Sequence, residues 1–149
     1  QGNLGGLTQA DMLCQSRANV AKIDGQFKAW LSSGSGSPST RFNTKFTGVY
    51  RLVNGTIIAV GWPDLIDGML AAPINIDESG NVVVGGVWTH TQPDGTIADG
   101  IPCLSWGSPS AVDSARGGNS EDNDGWWTLG PFQIGCQSTN RLYCFEYVE

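Results

Sequence analysis

The chain has 149 residues, a length that suits one domain burying about two thirds of its unfolded surface in a single core. Only 15% of the residues are charged, and no apolar run approaches the ~20 residues of a membrane helix, which argues against direct membrane insertion. The net charge of −6 is unevenly spread: residues 1–61 carry six Lys or Arg against Asp11 and Asp24, whereas residues 62–135 carry ten acids against Arg116 alone. Such a segment repels phosphates, so nucleic acid is excluded as its partner.

In chain order, the first expected element is a helix over about Gln9 to Lys22, with Thr8 as N-cap and Asp11 three residues later in a capping-box-like arrangement. Ala10, Leu13, Cys14, Ala18 and Ala21 recur at spacings of three and four, which turns Cys14 toward the core. A short second helix is expected around Gln26 to Ser32, presenting Phe27, Trp30 and Leu31. "SSGSGSPST" reads as a flexible surface loop. In "YRLVNGTIIAV", Asn54 and Gly55 lie between two strand-like runs, a hairpin signal of the type I′ kind. Asn54-Gly55-Thr56 is also a glycosylation sequon, but its coincidence with the turn favours the structural role. From Trp62 to Gly135, brief apolar runs alternate with Gly-, Pro-, Asp- and Asn-rich connections, the pattern of long loops pinned onto a small sheet. A last strand spans about Arg141 to Tyr147. No internal repeat and no domain-sized linker appears.

Four cysteines, Cys14, Cys103, Cys136 and Cys144, contain no Cys-x-x-Cys pair, and His90 is the one histidine, so two disulfides in an oxidising compartment fit better than zinc. Gln1 is not followed by a basic and then apolar stretch, so any secretion signal is expected to lie outside these residues.

An early helical cysteine, two cysteines bracketing a loop-rich region and a final cysteine in "YCFE" resemble the arrangement of C-type lectin-like domains. "NLGGLTQADMLCQSRA", "FKAWLSS", "SPSTRF", "WPDLIDGMLAAPINIDESG", "VWTHT" and "RLYCFE" are similar, over nearly the whole chain, to the endostatin-like subset found in bacterial outer-membrane and secreted proteins. The resemblance implies an α+β fold of two helices on small antiparallel sheets, with Cys14 paired to Cys144 and Cys103 to Cys136. It implies a secreted or surface-displayed recognition module, an adhesin or lectin, that binds a glycan or an extracellular protein. The alternative role is a structural or oligomerisation module of a larger surface assembly.

Sugar-binding members of that family hold Ca²⁺ with loop oxygens. "QPD" at Gln92, Pro93 and Asp94 stands where the family's tripeptide does, but Gly100, Ile101 and Pro102 supply no acid before Cys103, and "GWWTLG" replaces the usual Trp-Asn-Asp. "SEDNDGWW" offers Glu121, Asp122, Asn123 and Asp124 as oxygen donors for Ca²⁺ beside Trp126 and Trp127, either of which would stack on a sugar. The competing readings are an acidic, solvated turn and two core tryptophans. The candidate set is thus Gln92, Asp94, Asn123, Trp126 and Trp127 for ligand, and Glu121, Asp122 and Asp124 for metal. Trp30, Trp62, Trp88 and Trp106 fall in segments that match the family framework and are assigned to the core, and Asp64 and Asp67 to turns. His90 has no nucleophile beside it and every cysteine is assigned to a disulfide, so no catalytic activity is expected.

Overall fold

The computed structural model describes residues 1–149 and shows a small α+β domain. Helix α1 (Gly6–Ala21) buries Leu7, Ala10, Cys14 and Ala18 along one face. Leu13 is half exposed, on the outer side. The helix starts on Gly5 and Gly6, both at φ +83°, and not on Thr8, which lies within the first turn without a capping bond. Asp11 has a different task from the capping one expected of it. Its carboxylate accepts from the Ala29 backbone N–H at 2.9 Å and pairs with the Arg41 guanidinium, whose Nη1 donates to the carbonyls of Ala29 and Leu31.

Phe27–Ala29 is a strand, β1, and not the helix that its apolar residues predict. Trp30 belongs to one buried cluster with Leu52, Ile58, Trp62, Leu65 and Phe145, while its neighbours Ala29 and Leu31 belong to another with Leu7, Ala10, Trp88 and Trp106. Successive residues can point to opposite sides only in an extended chain. The domain therefore has two apolar clusters where one was expected, and extended segments run between them. In β4 (Gly86–Trp88), Val87 and Trp88 divide in the same way.

"SSGSGSPST" is likewise not a free surface loop: Ser32, Ser33, Ser37 and Pro38 are buried, and α2 (Pro38–Arg41) begins with a Ser37–Thr40 capping box. The hairpin of β2 (Val49–Arg51) and β3 (Ile57–Val60) forms where Asn54–Gly55 placed it. Its turn is not type I′, however. Of Val53, Asn54 and Gly55 only Gly55 has positive φ, +90°, and both Gly55 N–H to Leu52 O and Leu52 N–H to Thr56 O are made, the three-residue turn ending in a left-handed glycine. A short helix, α3 (Gly61–Leu65), follows directly.

The long connection carries β4, β5 (Ser114–Asn119) and β6 (Gln133–Gly135). The expected last strand is split in two. β7 (Arg141–Leu142) joins the sheet of order β6-β5-β4-β7, in which β4 and β7 are parallel, and β8 (Cys144–Glu146) pairs with β1. The two disulfides, Cys14–Cys144 and Cys103–Cys136, are the pairing that the resemblance implied, and no cysteine is free.

Between the clusters runs a buried polar chain. Trp30 Nε1 donates to Thr128 Oγ1 at 2.8 Å, Thr128 Oγ1 to the Thr91 carbonyl at 3.0 Å, the hydroxyls of Ser32 and Thr91 lie 2.7 Å apart, and Trp106 Nε1 donates to the Ser32 carbonyl at 2.8 Å. Buried polar atoms are tolerated here because each has found a partner.

Residues 103–106 form a left-handed helical turn. φ runs +43°, +52°, +60° and +65° from Cys103 to Trp106, and Trp106 N–H to Pro102 O and Gly107 N–H to Cys103 O close it. L-residues resist this conformation by roughly 1–2 kcal/mol each. It is held at both ends, by the disulfide at Cys103 and by the fully buried Trp106 indole. The first residues of the chain lie across it: Gly2 N–H donates to Cys136 O and Gly5 N–H to Trp106 O, and a Cβ on Gly2 would sit 2.4 Å from Cys103 Sγ.

Candidate functional site

Three loop segments meet at one face. In each, an Asp-Gly pair bends the chain and the aspartate turns back on the backbone two residues on. Asp67 Oδ1 accepts from Met69 N–H at 2.9 Å, Asp94 Oδ1 from Thr96 N–H at 2.9 Å, and Asp124 Oδ1 from Trp126 N–H at 3.0 Å. This is the Asx turn, in which a short carboxylate substitutes for a backbone acceptor. Pro93 is the wedge between the three: a Cβ on Gly68 would lie 3.9 Å from its Cβ, and one on Gly125 would lie 3.4 Å from its Cγ. Asn123 ties the first segment to the third, its carbonyl accepting from Leu70 N–H at 2.7 Å and its Nδ2 donating to the Leu70 carbonyl at 3.1 Å.

The predicted ligand residues are therefore brought together in part. Asp94 is exposed and Gln92 half-buried on the turn beside Gly125, and Trp126 stands 54% exposed on the single 3-10 turn Gly125–Trp127. Trp127 does not belong with them. It is fully buried, its ring 5.1 Å from that of Trp30 and 5.6 Å from that of Tyr143, and no face is left for a ligand. Asn123 sits at the face, but its side-chain amide is engaged with Leu70.

The residues do not fit a preformed Ca²⁺ shell. No three carboxylate, histidine or cysteine side chains gather into a metal-holding group. Of the three acids predicted to be ligands, Asp124 commits one oxygen to the turn that it caps, exposed Glu121 makes no side-chain bond, and half-buried Asp122 is near enough to Tyr143 to act on it. The Tyr143 hydroxyl, buried and without a partner, is held well above its ordinary range, first by burial and then by the Asp122 charge.

Asp67, Met69 and Pro93 complete the face and were not singled out as ligand contacts. A signal for them existed: Asp-Gly occurs five times in the sequence, and three of the five are the turns that touch here. Met69, 57% exposed, follows Asp67-Gly68 as Trp126 follows Asp124-Gly125. Asp64 takes the turn-ordering role expected of it, accepting from Val60 N–H at 2.6 Å.

His90 lies apart from this face in the buried interior, at φ +47°, with Nδ1 accepting from Arg116 N–H at 3.1 Å. Burial is the main influence that lowers its pKa. Trp30, Trp62, Trp88 and Trp106 are all buried, as assigned. A shallow recess at the start of α1, lined by Gln1, Asn3, Leu4, Gln9, Met12 and Leu13, holds no charged side chain and is remote in chain order from the loop face. No family model matches the chain, and no curated protein matches it.

Proposed function

We propose that the chain is a C-type lectin-like domain of the endostatin-like kind, secreted or displayed on a bacterial surface, that recognises a glycan or a protein through the face built by residues 67–70, 92–96 and 121–127. The observation that carries this reading is the exposed indole of Trp126, presented on a turn that Asp124 caps and whose Gly125 lies against Pro93. Large aromatics are enriched where partners bind, because they bury much area at little entropic cost. The disulfide pairing and the loop-rich segment that it staples support the fold assignment. Two disulfides with no free thiol fit an oxidising compartment.

A glycan array probed with the domain in Ca²⁺ and in EDTA tests the reading, with Trp126→Ala alongside. Any binding, whether seen on the array or to a protein, is expected to survive EDTA and to be lost in Trp126→Ala, since the acids do not form a cation shell. Binding abolished by EDTA would restore the metal. A domain that binds neither glycans nor proteins, and that sediments as an oligomer burying Trp126, would instead be the structural module.

A further inference from the structure

We propose that the occupant of this face is a cationic, Lys- or Arg-rich segment of a partner protein, an inference that rests on the recognition reading above. The face combines exposed apolar side chains with fixed negative charge: Met69 and Trp126 are more than half exposed, each directly after an Asp-Gly pair, and Asp67, Asp94 and Asp124 stand on the three turns that meet at Pro93. Each aspartate gives Oδ1 to its own turn and leaves Oδ2 without a protein partner. None is neutralised in place, because the ion pairs of the molecule are Arg17–Glu78 and Asp11–Arg41.

Arg116, the one cation between residues 62 and 135, is occupied elsewhere. Its Nε and Nη2 both donate to the Gly130 carbonyl. The loop region therefore keeps a large excess of negative charge, and its one cation is held away from the three aspartates.

An anionic glycan or phosphorylated ligand would be repelled here, and a neutral sugar could hydrogen-bond the free carboxylate oxygens but would leave their net charge unmatched. A Lys or Arg side chain gains twice, by placing its cation over the exposed indole and by pairing with the free carboxylate oxygens. Fixed turns also mean that the carboxylates lose little freedom on binding.

The test is fluorescence anisotropy with a fluorescein-labelled octapeptide alternating arginine and glycine, against its glutamate counterpart, at about 0.15 M salt. Asparagine keeps the Asx acceptor and removes only the charge, so the triple variant Asp67→Asn, Asp94→Asn, Asp124→Asn keeps the turns. It is expected to weaken arginine-peptide binding about tenfold or more, whereas the equally charged variant Asp24→Asn, Glu78→Gln, Glu149→Gln changes it less than about twofold. Trp126→Ala should also weaken it severalfold. Equal losses in the two triple variants, or comparable binding of the glutamate peptide, would overturn the inference by reducing it to general charge attraction. An inert arginine peptide together with a Trp126-dependent glycan signal overturns it while leaving the recognition reading intact; an inert peptide, a silent array and an oligomer that buries Trp126 overturn both. Self-association removed by the triple asparagine variant would name a second copy as the occupant and overturn it too.

Discussion

Gly118 has no space for a methyl group. A Cβ there would meet the Trp127 carbonyl oxygen at 1.9 Å and its carbon at 2.4 Å, both backbone atoms that cannot swing away. The strand must approach the tryptophan turn this closely because Trp127 is packed against Trp30 beneath it. Gly118→Ala is expected to cost roughly 3 kcal/mol, about the upper end of an overpacking penalty, and Gly34→Ala, where nothing lies within 4 Å, close to none. Chemical denaturation of the two variants checks this. His90 gives a second residue-scale expectation. Its folded pKa lies below the ordinary 6.5, chiefly through burial, so between those two values only the unfolded chain takes the proton. Stability is then fully present above pH 6.5 and falls as the pH drops through that window. In His90→Asn, which suits the left-handed backbone, melting temperature should vary less between pH 7.5 and 5 than in the parent, whatever the absolute change.

Among the elements, the left-handed turn at residues 103–106 is the one whose backbone opposes its own side chains. Ser105 is exposed, at φ +60° and ψ +40°, and its hydroxyl makes no bond. Ser105→Gly should therefore stabilise the domain by roughly 0.5–1 kcal/mol, once the extra freedom of glycine in the unfolded chain is set against the relief of strain. Thermal melting should rise by about 2–3 °C, and a fall would show that the turn is not strained at this position. This element was illegible in the sequence, since nothing local favours it; a disulfide, a buried indole and the strap at Gly2 impose it. β1 was misread for a related reason. Its helix-like apolar residues are divided between two clusters, and the partner that makes it a strand, Cys144–Glu146, lies at the far end of the chain. By contrast, α1 and the Asn54–Gly55 hairpin were legible because spacing and turn chemistry are local, although the start of α1 and the turn type were set by neighbouring glycines. At the loop face, Gln92, Asp94 and Trp126 were legible from residue type. Trp127 was not, because two adjacent tryptophans look alike until packing separates them.

For the whole molecule, stability rests on two cross-links of unequal reach. In the chain-entropy account, Cys14–Cys144, with a sequence separation of 130, restricts the unfolded state by about 5 kcal/mol, and Cys103–Cys136, with 33, by about 4 kcal/mol. They also differ in shelter. Cys103 and Cys136 are both fully buried under the Gly2 strap, whereas in the longer bond Cys14 is buried but Cys144 is an exposed residue on β8. Graded reduction followed by alkylation and mass spectrometry should open Cys14–Cys144 first, with a sharp fall in melting temperature at that step. Simultaneous opening, or an unchanged melting curve, would contradict the ranking.

The same long cross-link governs how the domain would bear a pull. Once the Gly2 and Gly5 contacts to Cys136 and Trp106 have given way, force applied between residues 1 and 149 passes from α1 through the Cys14–Cys144 bond into β8 and bypasses the chain between. Only residues 1–13 and 145–149 can pay out, about 60 Å of slack at ~3.5 Å per residue. The loop face carrying Trp126 lies wholly within the bypassed stretch. Under tension, a domain cross-linked in this way would keep that face folded until a covalent bond was reduced.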